Sequence, residues 1–107
     1  MLICATFGAK SEDLDEVKDW VVSATRLTAE ARESSERGGD YYYFESDAGE
    51  LIRVVTNRDV QDGETITDAS EEWLIAVVIE ETTQGSPVLQ ALEGDLVHFE
   101  KVPGRRG

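Results

Sequence analysis

Between Arg58 and Lys101 this chain has no lysine or arginine, yet the stretch carries eleven acids: Asp59, Asp62, Glu64, Asp68, Glu71, Glu72, Glu80, Glu81, Glu93, Asp95 and Glu100. Only His98 can become positive there. The whole chain has 23 acids and a formal charge of −13. Charge of this density opposes compaction, because like charges repel in the folded state, and it draws in positive partners. The apolar residues nonetheless come in blocks, so the chain reads as a globular domain and not as an acidic tail.

At 107 residues the chain is expected to be one α+β domain, residues 1–102, with a disordered, basic tail at 103–107. Such a length buries roughly two-thirds of its unfolded surface, enough for one core. An apolar fraction of 40% and a charged fraction of 31% fit a soluble protein. The lone Cys4 excludes an internal disulfide. Residues 1–7 are too short for a secretory leader, and no apolar run reaches the ~18 residues of a membrane span. The expectation is a cytoplasmic protein. Nucleic acid and anionic membranes make poor partners, since their phosphates would meet a negative surface.

Residues 2–7 read as a buried strand ended by Gly8. Ser11 has the character of a helix N-cap, with Glu12, Asp13, Asp15 and Glu16 placed where the helix dipole favours anions. Leu14, Val17, Val21, Ala24, Leu27 and Ala31 keep three-four spacing, which predicts a helix running to about Glu36. Tyr41, Tyr42, Tyr43 and Phe44 form a strand, and Asp47, Ala48 and Gly49 a turn. Leu51–Thr56 returns, with Ile52, Val54 and Thr56 on one face. Residues 57–70 read as a long loop, with a strand fragment at 65–67. Residues 73–79, the most apolar run, predict a central strand. Ser86 and Pro87 open a short helix that Gly94 stops. Residues 96–102 form the last strand. The order β-α-β-β-β-α-β implies an α+β, ferredoxin-like two-layer sandwich, its sheet mostly antiparallel or mixed and both helices on one face.

Little in the sequence points to catalysis. Cys4 sits in an apolar strand and reads as a core thiol. Cys4 and His98 meet only if the first and last strands pair; His98 otherwise reads as a sheet-surface residue. Trp20 and Trp73 read as core or core-edge residues. No phosphate loop and no zinc spacing is present. Asp59, Asp62, Glu64 and Asp68 have the composition of a calcium loop, but with Gly63 in the glycine place Arg58 and Val60 fall where ligands belong. No cofactor or metal is expected. Arg53 and Arg58 read as cations that offset local acid. The three tyrosines must split across both sheet faces, leaving at least one partly exposed. Exposed tyrosine is common at recognition surfaces.

In size, charge, element order and the 41–44 and 50–58 segments followed by an acidic loop, the chain resembles the immunity proteins of bacterial toxin systems, including contact-dependent inhibition. That resemblance implies a non-enzymatic module that covers a cationic nuclease toxin. The candidate partner-binding residues are Asp59, Asp62, Glu64, Asp68, Glu71 and Glu72, with Tyr42 as aromatic anchor. Three alternatives stay open: an acidic DNA mimic of the anti-restriction kind, a small ligand-binding or enzymatic ferredoxin-like domain, and acidity that reflects a salt-adapted proteome.

Overall fold

A computed structural model describes residues 3–34, 39–56 and 73–102. Its elements are β1 (Ile3–Ala9), α1 (Leu14–Thr25), β2 (Glu30–Ser34), β3 (Gly39–Glu45), β4 (Leu51–Thr56), β5 (Ile75–Thr82), α2 (Pro87–Glu93) and β6 (Phe99–Val102). The strands form one sheet in the order β2-β3-β4-β5-β1-β6, and every neighbouring pair is antiparallel. Val17 and Val21 of α1 and Leu89 and Leu92 of α2 share one core with Phe7, Phe44, Ile52, Val77, Ile79 and Phe99. Both helices therefore cover the same sheet face, giving a two-layer α+β arrangement.

Strand alternation decides which residues make that core. In β4, Ile52 and Val54 point to the helices and are fully buried, while Leu51 and Arg53 point away. The strands expected to be central are so: β5 lies between β4 and β1, and β1 between β5 and β6. On the other face a smaller cluster joins Tyr41, Val55 and Ala76, with Tyr43, Trp73 and Val102 beside it. Gly8 does not end β1. It lets Trp73 lie on the strand, since a Cβ there would sit 2.2 Å from the Trp73 ring.

Three local expectations need correction. Helix α1 ends at Thr25, not near Glu36, and Glu30–Ser34 is a strand. Arg26 turns into the left-handed region at φ 61° and its N–H closes on the Val22 carbonyl. The Thr25 hydroxyl donates to the Val21 carbonyl and also accepts the Leu27 N–H, which completes the stop. The segment beyond gains more by pairing with β3, whose backbone groups would otherwise lie open at the sheet edge. The element order is thus β-α-β-β-β-β-α-β, one strand more than predicted. The N-cap of α1 is Asp13, which accepts from the N–H groups of Asp15 and Glu16; Ser11 accepts from Asp13 one step earlier. The last strand begins at Phe99. Residues 95–98 form a turn instead, because the Asp95 carbonyl accepts N–H groups from both His98 and Phe99. The fragment at 65–67 and the tail at 103–107 lie outside the described residues.

Candidate functional site

Period-two alternation splits the aromatic run of β3. Tyr42 and Phe44 face the helices; Tyr41 and Tyr43 face away. Phe44 is fully buried, whereas Tyr42 and Tyr43 are each partly exposed. The Tyr42 hydroxyl reaches the first turn of α1 and donates to the Asp15 carboxylate. That bond to a carboxylate, aided by desolvation, raises the Tyr42 pKa above its ordinary value. Lys18 stands over the ring, its Nζ 5.4 Å from the centroid.

Tyr42 forms part of a cleft of about 380 Å³ between the start of α1 and the β2–β3 edge. Asp15, Glu33 and Asp40 line it, with Leu14 and Ala31 as its apolar floor. Glu33 and Asp40 are direct cross-strand partners in the β2–β3 register, and both are exposed. Like charges in that relation destabilise a sheet. Arg32 and Tyr41 also line the cleft, but the Arg32 charge is engaged elsewhere. Its side chain turns to the other face, where the guanidinium carbon lies 3.9 Å from the Tyr43 ring centroid and Nη2 pairs with Glu30 at 3.1 Å. Asp19 is exposed on α1 and acts on Tyr42 through its charge, although it is paired with Lys18 at 2.9 Å. Such an arrangement can hold a cationic side chain; it holds no acid–base pair aimed at a common point.

Of the partner-binding residues named from the sequence, only Tyr42 falls within the described part. Asp59, Asp62, Glu64, Asp68, Glu71 and Glu72 lie outside it. The structure instead gathers Asp15, Glu33 and Asp40 around Tyr42. Alternation along β3 could have placed Asp40 beside Tyr42. Glu33 was hidden, because its segment carried a helical spacing.

The other candidate groups stand apart. Cys4 is exposed and not a core thiol. It belongs to the face away from the helices, opposite to its neighbours Ala5, Phe7 and Ala9. Strands β1 and β6 do pair, but Ala9 lies opposite Phe99 and the Lys10 N–H meets the His98 carbonyl at 2.8 Å. Cys4 is six residues back along β1, about 20 Å from His98 at strand rise, so no thiol–imidazole pair forms. His98 is more than a surface residue. Its Nδ1 lies 2.9 Å from an Asp95 oxygen and its ring packs on Trp20, centroids 4.2 Å apart. Trp20 is a core-edge residue, partly buried against the main cluster. Arg53 offsets local acid as expected, pairing with Glu80 at 3.1 Å. Among the described residues no group of three or more His, Cys, Asp and Glu is placed to hold a metal ion. Among them, too, no helix is long and apolar enough to cross a membrane.

Among the described residues one carboxylate is buried. Glu50 is 4% exposed at the β3–β4 turn. It accepts from the Ser46 hydroxyl at 2.9 Å and from the hydroxyls of Thr82 and Ser86. Desolvation pushes its pKa up, but the three hydroxyl donors outweigh it and hold the carboxyl below its ordinary value. Glu50 thereby ties the β3–β4 turn to the end of β5 and to Ser86, the N-cap of α2. Three donors from its own chain hold both of its oxygens, which marks it as structural.

Comparison with known proteins found no matching family model, no matching curated protein and no matching solved structure.

Proposed function

We propose that this chain is a non-enzymatic, acidic protein-binding module of the cytoplasm that docks onto a basic partner, in the manner of an immunity protein covering a cationic nuclease toxin. The observation that carries it is the Glu33–Asp40 pair: two exposed acids set opposite each other beside a partly exposed tyrosine. A sheet gains nothing from that pair by itself. A lysine or arginine brought in by a partner would relieve the repulsion, while the Tyr42 ring supplies the aromatic contact that screened charges alone lack. Asp59, Asp62, Glu64, Asp68, Glu71 and Glu72 belong to the same proposal as steering charges. Complementary fields of this kind raise association rates toward ~10⁸–10⁹ M⁻¹s⁻¹ at low salt.

The ferredoxin-like assignment is part of this proposal. Strands β6-β1-β5-β4 have the split arrangement in which β5, α2 and β6 enclose β1. The β2–β3 hairpin is then an addition at the β4 edge, and it is this addition that builds the cleft.

The test couples stability to binding. Glu33→Lys replaces a like-charge pair with an opposite one, so it should stabilise the free protein by about 0.5 kcal/mol. The same change should slow association with a basic protein captured at low salt by about tenfold, with dissociation changing less. Stabilisation without any loss of binding would reduce the pair to a solvated surface. A small molecule found in the cleft, bound with no response to salt or to Glu33→Lys, would replace the protein partner.

A further inference from the structure

β2 is an edge strand. It pairs with β3 on one side, and among the described residues nothing pairs with its other side. Glu30, Ala31, Arg32 and Glu33 are all exposed. The outward N–H and C=O groups of such a strand form a template for one more strand. We infer that a second copy of this chain occupies it, with the two β2 strands antiparallel about a two-fold axis through Ala31.

Parity and charge select that register. A two-fold axis normal to the sheet leaves each side chain on its own face. Residues opposite each other must then point to the same side, and the axis must pass through a residue position. An axis at Glu30, Arg32 or Glu33 sets two like charges against each other at the centre, and one at Ser34, the end of the strand, pairs only that residue of β2. An axis at Ala31 places methyl against methyl. It also sets Glu30 against Arg32 of the partner subunit, and Arg32 against Glu30 of the partner subunit, both on the face away from the helices. Within one chain Arg32 already pairs with Glu30 at 3.1 Å, so the two groups are aligned along one side of the strand. The second edge, β6, lacks this property. It has four residues, and an axis at either middle position, Glu100 or Lys101, opposes like charges.

The overall charge works against association, since each chain carries −13. Exposed ion pairs contribute little affinity, so the Glu30–Arg32 contacts choose the register and the backbone ladder supplies the attraction. Salt screens the long-range repulsion between whole chains more than it costs two short contacts. Dimerisation should therefore tighten as salt rises. That response is opposite in sign to capture of a basic protein, and the dimer stands or falls apart from the cleft proposal.

Sedimentation equilibrium at about 1 mM protein, in about 50 mM and about 500 mM sodium chloride, tests the dimer directly. We expect twice the chain mass in high salt and a severalfold weaker dimer in low salt. Arg32→Glu should give a monomer, because glutamates then face each other. Adding Glu30→Arg to it should restore the dimer, since the swapped charges are complementary in the same register. In a Cys4→Ser background, Ala31→Cys should oxidise to a linked dimer. Glu33→Cys should not, because the two thiols sit about 13 Å apart along the strands. A wild-type monomer at high salt, a charge swap that fails to restore association in folded protein, or cross-linking at position 33 as fast as at 31 would each overturn the arrangement.

Discussion

Glu50 and the Glu33–Asp40 pair put carboxylates to opposite uses. Glu50 is buried, and three hydroxyls turn toward it from the β3–β4 turn, the end of β5 and the start of α2. Glu33 and Asp40 are exposed and face each other. The first carboxylate is bonded by its own chain, so its charge holds segments together. Among the described residues no cation pairs with the second two, so their charge costs the free protein a little and is available outward. In a chain this acidic, composition alone does not separate the two cases; the count of donors within reach does.

Removing the satisfied carboxylate should give the largest effect. Glu50→Ala leaves the hydroxyls of Ser46, Thr82 and Ser86 without their acceptor in a buried place, and it should cost about 3 kcal/mol in urea unfolding. A loss under about 1 kcal/mol would mean that the hub is decorative. Acid should produce the next largest change. The Glu50 pKa is lowered by folding, so its contribution is complete above the unfolded value of 4.5 and is lost as pH falls through the lower folded value. Stability measured from pH 7 downward should therefore drop in wild type below about pH 4.5, and the drop should be shallower in Glu50→Ala. Parallel profiles would show that other groups carry the acid sensitivity.

The exposed pair should respond in the other direction. Asp40→Lys, like Glu33→Lys, should raise the unfolding midpoint slightly, by about 0.5 kcal/mol, and making both changes should return most of that gain, because two lysines then oppose each other. Additive gains in the double variant would show that the two side chains do not interact. Smallest of all is Tyr42→Phe. Its hydroxyl bonds Asp15 at an exposed position, so stability should change by less than about 1 kcal/mol. A larger loss would place Tyr42 among the structural residues with Glu50.

Much of the fold was legible because its signals are local. The bounds of β4, the Ser86–Pro87 start and Gly94 stop of α2, and the central strands 2–7 and 73–79 follow from alternation, capping chemistry and apolar runs. The largest error lies beyond α1. Residues 27–31 kept a helical spacing, yet Thr25 and Arg26 closed the helix and the edge of β3 recruited the rest as β2. A short amphipathic segment satisfies either period, and a neighbouring strand with free backbone groups decides between them. Cys4 was misplaced for a similar reason: an apolar strand has two faces, and only one of them is covered by helices.

By itself the sequence determined the charge, the α+β class, the aromatic run and the residues able to form a core. All of these follow from side-chain chemistry and from periods of two and three to four residues. Tertiary structure alone decided which acids meet. It set Glu33 opposite Asp40, brought three hydroxyls to Glu50, and kept Cys4 about 20 Å from His98 along paired strands. Strand register is a long-range choice made by the whole sheet, and a shift of one residue in β2 would have sent Glu33 to the face away from Asp40.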